Sequence, residues 1–163
     1  MILYGPPGTG KTMAAQIMAQ DIGMTLYRVD LSQLVDKYIG ETEKNLSALF
    51  EAAKGSNGIL FFDEADALFA KRTDVESSND RHANSEVAFL LQQIEEYDGL
   101  SILATNAVQN FDAAFKRRMT YMISVDRPDN EERLKIWENV FPKDTPVDEN
   151  VNFELYSRVE GMT

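Results

Sequence analysis

The sequence predicts an α/β domain with a largely parallel sheet. Three observations carry this. Short apolar runs alternate along the chain with stripes at helical spacing. "GILFFD" (58–63) is a near-continuous apolar run, as expected of a strand buried on both faces. The polar, chemistry-bearing motifs follow directly after apolar runs, and ligands in such sheets bind beyond the carboxyl ends of the strands.

The elements follow in order. "MILY" (1–4) is a short strand ending at a glycine. Residues 11–20 form a helix, with Met13, Ala14, Ile17 and Met18 at helical spacing. "TLYRVD" (25–30) alternates as a strand. Leu46, Leu49, Phe50 and Ala53 mark a helix that Gly55 ends. After 58–63, residues 71–82, "KRTDVESSNDRH", lack apolar anchors and predict an unstructured stretch. Ala83, Val87, Leu90, Leu91 and Ile94 form the next helical stripe, stopped by Asp98-Gly99. "SILATN" (101–106) and "YMISV" (121–125) are strands. Asp129 with Glu132 forms a capping box for a helix carrying Leu134, Trp137 and Phe141.

At 163 residues the chain is long enough for one domain with its own core. It has no run of 18 apolar residues, so no membrane partner is expected. No secretory signal opens it, and the absence of cysteine fits a reducing compartment, the cytoplasm. The single histidine, His82, argues against zinc, so any metal should be hard and oxygen-bound. Lys and Arg number 16 against 27 Asp and Glu, a net charge of −11, which argues against nucleic-acid partners.

"GPPGTGKT" (Gly5, Pro6, Pro7, Gly8, Thr9, Gly10, Lys11, Thr12) matches the phosphate-loop pattern G-x-x-x-x-G-K-[ST] between a strand and a helix. The glycines let successive N–H groups point at phosphate oxygens, and the helix offers its positive end to the same anion. Lys11 should reach the β- and γ-phosphates, the Thr12 hydroxyl should ligate Mg²⁺, and Met13 follows in the first helical turn. In "ILFFDEAD", Asp63 would hold the metal and Glu64 would take a proton from water. Read alone, Asp63 could equally cap the next helix. Asp66 reads as first-turn helix charge. Asn106, ending "ILATN", could position the water or simply make a turn. In "FKRRM" (115–119), Lys116, Arg117 and Arg118 could be a solvated cluster, or the guanidinium groups could meet a phosphoryl group.

Together these residues resemble the AAA family of ATPases, within the wider AAA+ group. "GPPGTGKT" stands as Walker A, "ILFFDEAD" as Walker B, "ILATN" as sensor 1 and "FDAAFKRRM" as the end of the second region of homology. "DKYIGETEKNLSALFEAA" (36–53) resembles the first pore-loop region and the helix after it. Residues 77–106 bear a narrower likeness to bacterial ATPases that accompany contractile, phage-tail-like particles.

The resemblance implies a three-layer αβα sandwich with a mainly parallel five-stranded sheet in the order 5-1-4-3-2. It implies ATP and Mg²⁺ as cofactors. It also implies a homo-oligomeric ring, a hexamer at full length, in which Arg117 and Arg118 reach the neighbour's γ-phosphate. Tyr38 and Ile39 would line the pore and grip a polypeptide, although Tyr38 could also pack back on its own domain. Met119 departs from the pattern, standing where an aromatic residue is common. The chain starts almost at its first strand and ends at "GMT", where relatives begin a helical lid. Residues 1–163 are therefore expected to be the large subdomain of a longer protein, weak or inactive alone. ATP-driven protein remodelling is the function expected. A nucleotide-gated scaffold is a different class, against which Glu64 argues, since a scaffold needs no base. A DNA-handling AAA+ protein is another, disfavoured by the acidic balance.

Overall fold

The structure is a computed structural model and describes residues 1–31, 41–68, 78–148 and 150–159. Tyr38 and Ile39 lie outside the described residues. The chain divides into two compact units, Met1–Val125 and Asp126–Thr163.

The first unit is built on five strands: β1 (Ile2–Tyr4), β2 (Thr25–Asp30), β3 (Gly58–Asp63), β4 (Leu100–Thr105) and β5 (Met122–Ser124). Their spatial order is β2-β3-β4-β1-β5, which read from the other edge is the expected 5-1-4-3-2. Every pairing is parallel. Because β4 lies between β1 and β3, the carboxyl ends of β3, β4 and β1 stand side by side. Asp63, Thr105 and Tyr4 close those strands, so the motifs that follow each one emerge along one edge. Asn106 lies one residue past β4 rather than inside it.

Helices cover both faces. Among the described residues they include α1 (Lys11–Asp21), α2 (Glu41–Ala53), α3 (Ser78–Glu96) and α4 (Ala113–Arg117). Side chains alternate along β3, as a pleated strand requires. Ile59 and Phe61 join Leu3, Ile102 and the α1 residues Ala15 and Ala19. Leu60 and Phe62 pack on the opposite side against Leu46 and Phe50 of α2 and Val87 and Leu90 of α3. Phe50 stacks on Phe62 at 5.9 Å between ring centroids. Full burial of side chains this size stabilises by roughly 1.5–3 kcal/mol each.

Further expectations need correction. On α1, Met13 and Ile17 are exposed, and Lys11, Ala15 and Ala19 form the buried face. Those three recur every fourth residue, so they share one side of the helix. The two alanines let the helix axis approach the sheet more closely than methionine and isoleucine would. Within the stretch 71–82, α3 begins at Ser78, so residues 78–82 are helical. Phe141 sits just past its helix with an extended backbone.

The second unit holds α5 (Asn130–Val140) and α6 (Phe153–Ser157). The capping box forms in both directions: Glu132 N–H donates to Asp129 Oδ1 at 2.9 Å, and Asp129 N–H donates to Glu132 Oε2 at 3.0 Å. Trp137 and Phe141 each stack on Phe153. Arg133 donates from Nε to the Ser157 carbonyl at 2.6 Å, tying α5 to the end of α6. Among the described residues, no helix is long and apolar enough to cross a membrane.

Candidate active site

The β1–α1 loop is held open by its backbone. Gly5 has φ +151°, and a Cβ there would lie 2.1 Å from the Val125 carbonyl oxygen. Its N–H donates to the Thr105 carbonyl at 3.3 Å, and Val125 N–H donates to the Tyr4 carbonyl at 2.7 Å. The loop is thus fastened to β4 on one side and to the end of β5 on the other. Gly10, at φ +92°, caps α1 without a side-chain hydrogen bond, leaving first-turn N–H groups for another acceptor. The helix's partial positive charge points the same way. Thr9 Oγ1 donates to the Pro6 carbonyl at 3.0 Å and closes the turn, while Pro7 and Gly8 are exposed.

Lys11 is buried at 8% exposure. Its ammonium donates to the carbonyls of Gly5 (2.9 Å) and Pro6 (2.7 Å). Burial pushes its pKa below the ordinary lysine value, and the carboxylates of Asp63 and Asp66 pull in the opposite direction. A buried cation whose hydrogen-bond partners are neutral carbonyls favours an arriving anion.

Asp63 lies across from this cradle. Its Oδ2 is 3.5 Å from Thr12 Oγ1 and accepts from Arg28 Nη2 at 2.8 Å. Oδ1 accepts from the adjacent Glu64 N–H at 3.0 Å, and among the described residues no hydrogen bond from Asp63 to the N–H groups of the turn that follows is seen. Glu64 is exposed and has φ +52°, the left-handed region, alone among the described non-glycine residues. That conformation costs roughly 1–3 kcal/mol and turns the chain sharply at the carboxyl edge.

The 3₁₀ turn Ala65–Leu68 comes next. Asp66 Oδ1 accepts from Thr105 Oγ1 at 3.0 Å and from Asn106 N–H at 3.3 Å. Asp66 does lie in the first turn, as expected, and it also joins the turn after β3 to the end of β4. Asn106 itself is exposed.

At the opposite end of the chain's motifs, Arg117 closes α4 and is exposed, with no ion-pair partner among the described residues. Arg118 Nε lies 3.4 Å from Glu95 Oε1 of its own chain. The two arginines therefore differ in surroundings. Met119 is buried in the core with Phe111 and Phe115.

The fold brings Lys11, Thr12, Asp63, Glu64 and Asn106 to one edge. Arg28 and Asp66 were missed as partners of that edge. Arg28 carried no local signal, because its contact depends on β2 pairing with β3. Asp66 had a weak one, a carboxylate three residues beyond Asp63. The donor set suits Mg²⁺ and a polyphosphate: one hydroxyl and one carboxylate facing each other, hard oxygens only, beside a buried ammonium and uncapped N–H groups.

The family described as "ATPase family associated with various cellular activities (AAA)" matches residues 1–127. The proteasome-activating nucleotidase of Saccharolobus solfataricus is 36% identical over 171 aligned residues, covering 100% of this chain and 43% of the relative. Vacuolar protein sorting-associated protein 4 of Dictyostelium discoideum is 35% identical over 141 residues, covering 85% of this chain and 32% of the relative. The solved AAA domain of FIGL-1, in complex with ADP, superposes with a TM-score of 0.68 at 30% identity, over 85% of this chain and 47% of that one. The chain thus spans less than half the length of these relatives.

Proposed function

The chain belongs to the AAA family of ATPases, and from that premise we propose that it binds and hydrolyses ATP with Mg²⁺ as the large subdomain of a longer protein. The observation that carries this is the 3.5 Å approach of Thr12 Oγ1 to Asp63 Oδ2 beside the buried Lys11. In this reading the backbone from Gly5 through Met13 cradles the phosphates and Lys11 meets their charge. Thr12 and Asp63 hold the metal, which would neutralise charge on the phosphates. Glu64 accepts the proton of the attacking water, and Asn106 orients that water.

The full-length protein acts as a homo-oligomeric ring, a hexamer, in the cytoplasm. Arg117 and Arg118 act on the neighbour's nucleotide, so hydrolysis depends on assembly. The exposure of Arg117 supports this. The work done is remodelling of a polypeptide, gripped by Tyr38 and Ile39. Support for a protein client comes from the family pattern at those residues and from the likeness to a nucleotidase named for activating a proteasome. The 163-residue chain alone, without a neighbour, hydrolyses ATP weakly or not at all and is a monomer or a weak oligomer.

The test is ATP hydrolysis by the full-length protein against its concentration, with and without Tyr38→Ala. Turnover that rises cooperatively with concentration, with remodelling but not turnover lost in Tyr38→Ala, is expected. Turnover independent of concentration removes the ring, and no turnover at any concentration removes the activity.

A further inference from the structure

We propose that Asp66 is a positioning residue for hydrolysis, setting the end of β4, and with it Asn106, against the Asp63–Glu64 pair. This rests on the ATP-hydrolysis reading above.

Three residues in sequence are held by one hydrogen-bonded chain that begins at the Asp66 carboxylate. Oδ1 accepts hydrogen bonds from the Thr105 hydroxyl at 3.0 Å and from the Asn106 N–H at 3.3 Å. The Thr105 oxygen then accepts the Ala107 N–H at 3.0 Å. Bonds to an ionised acceptor are the strong members of their class. Both anchors are fixed. Thr105 is 1% exposed, and Ala65, beside Asp66, is fully buried. Thr105 also takes the Gly5 N–H with its carbonyl, at 3.3 Å. One residue thus joins the phosphate loop through its backbone and the acidic turn through its side chain.

The consequence is geometric. Asn106 stands past the last ladder position of β4, where strand pairing no longer fixes its backbone. Asp66 supplies the missing constraint. It sits on the turn that immediately follows the two working carboxylates, so a displacement of that turn is passed to Asn106. A loss of about 1 Å in such alignment can cost on the order of 100-fold in rate. Asp66 need not touch nucleotide or water to have this effect.

A positioning role and a merely stabilising one are separated by four substitutions in the full-length protein: Asp66→Ala, Asp66→Asn, Thr105→Val and Thr105→Ser. The measurements are kcat and KM for ATP, together with the thermal midpoint of each variant. Asp66→Ala and Thr105→Val should each lower kcat about 10- to 100-fold with KM changed less than about twofold. Asp66→Asn and Thr105→Ser, which keep the acceptor and the hydroxyl, should restore most of the rate. The Asp66→Ala/Thr105→Val double variant should lose less than the product of the two single losses, because both substitutions remove the Asp66–Thr105 bond. Rates that follow the thermal midpoint across the set, or losses that multiply in the double variant, overturn the proposal. So does normal turnover in Asp66→Ala. An unaltered protein that does not hydrolyse ATP overturns the functional reading and this proposal together.

Discussion

Arg28 Nη2 donates to Asp63 Oδ2 at 2.8 Å, on the same carboxylate oxygen that faces the Thr12 hydroxyl. In the β2–β3 ladder Asp30 pairs with Asp63 and Arg28 with Phe61, so the contact is diagonal, from β2 to the end of β3. The guanidinium holds the oxygen assigned to the metal. Arg28→Ala should therefore lower the Mg²⁺ concentration needed for nucleotide binding. The Arg28 side chain is 65% exposed, and an exposed pair contributes at most about 1 kcal/mol, so the shift should not exceed about fivefold. Nucleotide titrations at graded Mg²⁺ read it directly. An unchanged or increased Mg²⁺ requirement would show that Arg28 does not compete for Asp63.

Glu64→Gln in the full-length protein should keep nucleotide affinity within about twofold and lose turnover by about 100-fold or more. The side chain is exposed and lies past the Asp63 contacts, so its charge is not needed to hold the loop. Binding isotherms beside phosphate release separate the two effects. Undiminished release would remove Glu64 as the base.

Arg117→Ala should lower hydrolysis by about 1,000-fold, the low end for loss of an arginine finger, without weakening nucleotide binding. Mixing it with Glu64→Gln subunits should restore part of the activity, because in the proposed ring each lacks a different half of a site made by two subunits. No restoration would count against action in trans. The neighbouring Arg118 is already paired with Glu95, both side chains being about half exposed. Any stability lost in Arg118→Ala should therefore stay below about 1 kcal/mol, measurable by denaturant titration.

Gly5→Ala should destabilise the first unit by about 3 kcal/mol or more. The new Cβ would collide with the Val125 carbonyl at 2.1 Å in a backbone conformation that alanine rarely adopts. Nucleotide binding should be lost along with it. A thermal midpoint unchanged from the parent protein would mean that the β1–α1 loop and β5 can move apart freely.

Much of the fold was legible because its signals are local. "GILFFD" reads as a buried strand from six consecutive residues, and Asp129 with Glu132 reads as a helix start from four. The glycines and Lys11 of the loop announce phosphate chemistry in the same way. Helix rotation was not legible on α1. Met13 and Ile17 outrank Ala15 in hydrophobicity, yet the helix turns its alanines to the sheet. Ala15 and Ala19 pack in one cluster with Leu3, Ile59, Phe61 and Ile102, and no window of the chain contains that grouping. The strand order matched an expectation drawn from family resemblance rather than from residue periodicity.

From its own residues the chain declares alternating strands and helices, a loop suited to phosphate, and carboxylate and amide groups at strand ends. These are properties of neighbours along the backbone, where spacing and conformational preference act directly. Tertiary structure alone decided that Arg28 would occupy Asp63, that Asp66 would bind the end of β4, and that Arg118 would turn to Glu95 while Arg117 stayed exposed. Each of these joins residues far apart in the chain. Such a contact forms only when parallel register and helix packing have fixed both partners in space, since a hydrogen bond or ion pair depends on a separation of about 3 Å that sequence distance does not encode.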